Sequence, residues 1–174
     1  MKTNDFLGKT WEIDCMGCAI RDGSMQVPGG VIYRGSHFCL HQDPLIPLPG
    51  FLVIASLRHI QSIADMDAAE YDEFAKLLRA AHTAIKTVTH IEHLTLIQEE
   101  SSNHFHLWFF PWTQAVLDRY GSPSLAKVRA IMADYRQQPL DDAGWQLLKG
   151  SIEEMRALPV WRRHEAPKGN LSPA

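Results

Sequence analysis

The stretch Asn103-His104-Phe105-His106-Leu107-Trp108-Phe109-Phe110-Pro111 restricts the fold of this chain more than any other. In an extended backbone successive side chains point to opposite faces. Phe105, Leu107 and Phe109 then fall on one side, and His104, His106 and Trp108 on the other. The stretch therefore predicts a strand with one face turned to a core and two imidazoles sharing the second. Buried polar rings need partners. Two imidazoles on one face are either a satisfied surface or core pair or part of a site, and their spacing alone leaves both readings open.

The remaining sequence sets the frame. A length of 174 residues suits one domain with a short appendage and is enough to bury a sizeable core. Hydrophobic residues make up 45% and charged residues 21%, the balance of a globular rather than a disordered chain. A net charge of −3 argues against extended contact with a nucleic-acid backbone, which needs a basic face. The cysteines number 3, with two of them close together, which does not suit a secreted disulfide framework and points to a reducing compartment. Met1-Lys2-Thr3-Asn4-Asp5 leads into no apolar run of signal or membrane length, so the expected location is the cytoplasm, without membrane contact.

Along the chain, Asp14 is placed to cap a short helix carrying Cys15 and Cys18. Val31-Ile32-Tyr33, His37-Phe38-Cys39-Leu40 and Phe51-Leu52-Val53-Ile54-Ala55 read as strands, with a rigid connection through Pro44, Pro47 and Pro49 between the last two. Asp67-Ala68-Ala69-Glu70 has the form of a capping box, opening a helix with Phe74, Leu77, Leu78, Ala81, Ile85 and Val88 at helical spacing. Leu94-Thr95-Leu96-Ile97 is the next strand, joined to the His104 strand through the polar residues 98–102 as a hairpin. Residues 124–135 and 142–158 show helical periodicity, and Glu165 onward reads as a frayed tail. The expected organisation is a first domain of residues 1–120, a helical C-terminal extension of residues 121–164 and a tail of residues 165–174. The fold class is α+β, with an antiparallel sheet of about five strands and one long helix packed on it.

Cys15-x-x-Cys18 is half of a tetrahedral zinc site, since two thiolates at that spacing can reach one ion from a single turn. No second pair exists, so the other ligands would be histidines: His37, His41, His59, His90, His93 and His104 are the candidates. A redox pair and two unconnected core thiols are the competing readings.

Taken in order, Cys15-x-x-Cys18, Phe51-Leu52-Val53-Ile54 running to His59-Ile60, the long helix, and His104-Phe105-His106 ending at Pro111 resemble the histidine-triad (HIT) superfamily. These are nucleotide hydrolases and transferases, and the resemblance spans residues 11–112. It is to the branch with an N-terminal C-x-x-C, near the diadenosine polyphosphate hydrolases and galactose-1-phosphate uridylyltransferases. It implies a structural zinc ion held by Cys15, Cys18, His59 and His104, and a homodimer. It makes His106 the nucleophile that attacks the α-phosphate of a nucleotide and carries the nucleotidyl group. It places Gln98, Ser101, Ser102 and Asn103 near that phosphate, and Ile32, Phe38, His41 and Gln42 near the nucleoside. The implied reaction is hydrolysis of a dinucleoside polyphosphate or nucleoside phosphoramidate; the alternatives are nucleotidyl transfer to another acceptor and nucleotide binding with little or no turnover. One departure bears on that choice. Trp108 stands where the hydrolases carry a third histidine that assists the leaving group, and an indole offers one N–H donor and no acid at neutral pH. Trp108 and Trp112 read as packing residues.

Overall fold

The computed structural model describes residues 1–138 and 140–164, so the expected tail from Glu165 lies outside the described residues. In chain order the elements are β1 (Lys2–Asn4), β2 (Thr10–Glu12), α1 (Met16–Asp22), β3 (Val31–Arg34), β4 (Phe38–Gln42), β5 (Leu52–Ser56) and α2 (Ala68–Thr89). Then follow β6 (Leu94–Gln98), β7 (His106–Pro111), α3 (Gln114–Tyr120), α4 (Leu125–Gln137) and α5 (Asp142–Ala157), with short 3-10 turns at Ile63–Asp65 and Pro159–His164. The fold is α+β: β3 to β7 form one antiparallel sheet in the order β3-β4-β5-β7-β6, and β1 and β2 form a separate hairpin.

Residues opposite each other across antiparallel strands share a face. Leu40, Ile54 and Leu107 stand in one such row, and with Phe105 and Phe109 they meet Phe74, Leu77, Ala81 and Ile85 of α2 in the main core. Helix α5 adds Leu148, Ile152 and Met155 to the same core. The second face carries the rows Cys39, Ala55, His106 and His41, Val53, Trp108. Two layers cover it. Val116 of α3 and Val128 and Ile131 of α4 pack on Phe51 and Phe110 at one end, while α1 packs with Ile13, Met25 and Val27 at the other. His106 lies between these two covers.

The start of α2 is fixed as its sequence predicts. The Asp67 carboxylate accepts from the Glu70 N–H at 2.9 Å, and the Glu70 carboxylate accepts from the Asp67 N–H at 2.9 Å. Arg58 then grips Glu70 with two bonds of 2.7 Å. That guanidinium holds the buried Glu70 carboxyl down to about 2, from an ordinary 4.5. A carboxyl depressed by folding adds stability that is fully present above its unfolded value and is lost as pH falls through the folded one. Urea unfolding of the protein and of Arg58→Met should therefore differ most above about pH 4.5, the difference closing as pH falls toward about 2.

Two expectations change. Asp14 is not the cap of α1: Cys15 occupies that position, and its side chain makes no capping bond because the thiol is turned toward His104, 3.3 Å away. Helix α3 and the β1–β2 hairpin are also additional. Both are too short for periodicity to mark them, α3 being 7 residues and each hairpin strand 3.

Candidate functional site

On the second face of the sheet a cavity of about 330 Å³ opens beside His106. Val53, Ala55, His41, His106 and Trp108 belong to its sheet floor, and Met16, Gly17 and Ile20 of α1 lie over it. The His106 Nδ1 lies 2.9 Å from the His104 carbonyl oxygen and 3.4 Å from the Ser102 hydroxyl. A carbonyl only accepts, so Nδ1 carries the proton and Nε2 keeps its lone pair. That is the tautomer of a nucleophilic imidazole.

His41 is fixed the same way. Its Nδ1 donates to the Gln42 carbonyl at 2.8 Å, and its buried Nε2 has no partner among the described residues. Burial drives its pKa down to about 4, so it stands as a neutral acceptor on the cavity wall. Asp43 is also buried. One carboxylate oxygen accepts from the Leu45 and Ile46 N–H groups at 2.8 and 3.0 Å, the other from the Trp108 indole N–H at 3.1 Å. Burial raises its pKa to about 6, against the pull of those donors. The Trp108 ring in turn stands edge to face with His106, the centroids 4.3 Å apart. Trp108 thus packs and also lines the cavity, whereas Trp112 is buried in the second core and stands away from this cavity, its N–H on the Thr95 hydroxyl at 2.8 Å.

Beside the cavity, four donors converge from three parts of the chain. Cys15 and Cys18 come from the start of α1, His59 follows β5, and His104 precedes β7. The Cys18 sulfur lies 3.1 Å from His59 Nδ1 and 3.7 Å from His104 Nδ1, and all four donor atoms fall within 4.8 Å of one another. The His104 Nε2–H donates to the Ser56 carbonyl at 2.7 Å, which turns a bare Nδ1 toward the thiols. Burial, first among the causes, also lowers the His104 pKa and favours the neutral form that a metal needs. Two sulfurs and two imidazole nitrogens are a tetrahedral zinc donor set, and the residues fit that ion. Gly17 makes room for the His104 ring: a Cβ there would lie 2.6 Å from Cγ of His104.

His41, Ser102, Asn103, His104 and His106 all border the cavity, with Cys15 at its edge. Gln98 and Ser101 do not. Gln98 pairs opposite Leu107 and so shares the face covered by α2. Gln42 is buried and donates to the Ile46 and Leu48 carbonyls at 3.2 and 3.0 Å, holding the proline-rich connection in place. Ile32 and Phe38 belong to the core under α2. Asp43 is the cavity residue that sequence reasoning passed over. Its position two residues beyond His41 in an extended run was the available signal.

No protein-family model matches the chain, and no curated protein matches it. Solved structures do resemble it. A hypothetical histidine triad nucleotide-binding protein from Sulfolobus tokodaii superposes with a TM-score of 0.59 at 18% identity, covering 82% of this chain and 91% of its own. A HIT-like protein involved in cell-cycle regulation from Bartonella henselae gives 0.57 at 13% identity, over 84% and 98% of the two chains. A Zn-bound histidine triad family protein from Mycobacterium smegmatis gives 0.56 at 16% identity, over 82% and 95%.

Proposed function

The chain has the histidine-triad fold, and on that premise we propose that it is a nucleotide hydrolase working through a nucleotidyl-His106 intermediate, on a dinucleoside polyphosphate or a nucleoside phosphoramidate. The observation that carries this reading is the His106 tautomer: Nδ1–H is spent on the His104 carbonyl at 2.9 Å, and Nε2 is free beside the cavity. Its lone pair attacks the α-phosphorus, an N–P bond forms, and the bond to the leaving group breaks with its electron pair going to the departing atom. Water oxygen then bonds to phosphorus, the N–P pair returns to Nε2 and the proton lost by the water passes to solvent. Ser102 and Asn103 border the cavity on the His106 side and are the groups we assign to the phosphate, with His41 receiving a donor from the nucleoside. Gln98, Ser101 and Gln42 are left out of this assignment by their placement.

Cys15, Cys18, His59 and His104 would hold zinc, whose part is to tie α1 to the start of β7. His104 then serves structure and His106 chemistry. The reading includes a homodimer, supported by the exposed Leu96 on the edge strand β6, and a cytoplasmic location that keeps the cysteines reduced. Among the described residues no helix is long and apolar enough to cross a membrane. A nucleotide-binding protein with little turnover is the second reading, motivated by Trp108 in the third motif position.

Intact-mass spectrometry after incubation with diadenosine tetraphosphate, with chromatography of the nucleotides, separates the two. A hydrolase gives an acid-labile adenylyl adduct and steady product; a binder gives a saturable complex and neither of these.

A further inference from the structure

Resting on the nucleotidyl-His106 reading, we infer that this site serves substrates whose leaving group departs as a stabilised phosphate anion, as from a nucleoside or dinucleoside polyphosphate. It works against phosphoramidates and alkyl esters, whose leaving groups must gain a proton as they go. The juxtaposition of Trp108, Asp43 and His41 around His106 carries this inference.

The protons of Trp108, His41, Ser102 and His106 are already committed. The Trp108 indole N–H is held by Asp43 at 3.1 Å, and indole gives up no proton near neutral pH in any case. The His41 proton sits on Nδ1 against the Gln42 carbonyl, leaving only an acceptor on the cavity side. The Ser102 hydroxyl has the carbonyls of His104 at 2.8 Å and of Glu99 at 3.1 Å to donate to. Asp43 takes three N–H donors on its carboxylate; burial lifts its pKa to about 6, which still leaves the carboxylate as the main form at neutral pH. The His106 proton itself stays on the His104 carbonyl. The side chains closest around His106 thus offer acceptors and occupied donors. Of the other polar groups lining the cavity, the Met1 ammonium is bonded to the Ile13 carbonyl at 2.7 Å and the Asn103 amide is a donor but no acid.

The consequence follows from the balance of the first step. As Nε2 bonds to phosphorus, the electron pair of the breaking bond must be carried away. A polyphosphate oxygen spreads that charge over its own phosphoryl oxygens and needs no proton. An amine nitrogen or alkoxide oxygen cannot leave as an anion near neutral pH, and a positioned acid is worth about 10²- to 10⁴-fold to such a group. Trp108 forgoes that factor, so the cost falls on basic leaving groups alone.

The test is the rate of adenylyl adduct formation on the zinc-loaded protein with three probes: the p-nitrophenyl ester of AMP, diadenosine tetraphosphate and an alkylamine phosphoramidate of AMP. The first two should form adduct readily, and the phosphoramidate at least about 10²-fold more slowly. Trp108→His should raise the phosphoramidate rate by about 10²-fold relative to the aryl ester, and Trp108→Gln, which keeps a donor but supplies no acid, should not. The wild-type series stands without either variant should they fold poorly. Phosphoramidate reacting within tenfold of the aryl ester would overturn the inference, as would phosphoramidate cleavage lost specifically in Asp43→Asn, which would make Asp43 the acid. No adduct even with the aryl ester would instead bring down the nucleotidyl-His106 reading and this inference with it.

Discussion

His106→Ala is expected to lose adduct formation and turnover by roughly 10⁴-fold or more while keeping its fold and the metal affinity of the wild type. The size follows from the proposed role: a nucleophile that forms the covalent intermediate has no partial substitute, and what rate survives comes from binding alone. Neighbouring imidazoles do not fill the gap. His41 has the same tautomer as His106, but its Nε2 is buried where His106 is half-exposed and burial lowers its basicity, and the His104 Nδ1 faces the thiols. The structural cost of the substitution is small. His106 is half-buried, and the lost bond to the His104 carbonyl is worth about 1 kcal/mol, or roughly 2–4 °C in a chain of this size. Adduct mass, product formation and thermal unfolding measured on one preparation separate the two effects. An adduct that persists in His106→Ala would move the chemistry to another residue.

The parts of this arrangement that were legible in the sequence are those set by short-range periodicity or by strong local signals. Phe105, Leu107 and Phe109 alternate with His104, His106 and Trp108, and they do enter the core beneath α2. Asp67 and Glu70 announce the start of α2 by the same two bonds that form there. The convergence of Cys15, Cys18, His59 and His104 could be anticipated only through resemblance, because the contact between Cys15 and His104 spans 89 positions and spacing alone offered six histidines.

What was not legible depended on register and on packing between distant segments. Gln98 sits near His106 in a hairpin, yet pairing opposite Leu107 turns it to the far face; a shift of one residue would have reversed that. The Trp108 indole looked like packing because its partner, Asp43, lies 65 positions away behind a proline-rich connection. Trp108 and Asp43 satisfy each other's polar groups at the cavity wall, so the residue that departs most from the resemblance is also the one whose chemistry needed three dimensions to read.

If Cys15, Cys18, His59 and His104 hold zinc as proposed, stripping it should cost far more stability than any single side chain of the cavity. Helix α1 has 7 residues, well below the length at which an isolated helix holds itself together in water. Besides its small apolar cluster, α1 is tied to the rest of the chain by the Arg21 bond to the Leu57 carbonyl at 3.2 Å and by the approach of Gly17 to His104. A zinc ion bound by Cys15, Cys18, His59 and His104 would add a link between α1, the end of β5 and the start of β7. An ion present at about 1,000 times its dissociation constant stabilises the folded state by about 4 kcal/mol. At roughly 2–4 °C per kcal/mol, chelation should then lower the melting temperature by roughly 8–16 °C. Cys18→Ser should reproduce most of that loss and make the remaining stability insensitive to chelator. Since α1 also roofs the cavity, nucleotide affinity should fall with the metal, whereas in His106→Ala binding should survive. A melting temperature that ignores chelator but rises on oxidation, with the mass change of a Cys15–Cys18 disulfide, would assign the pair to redox chemistry instead.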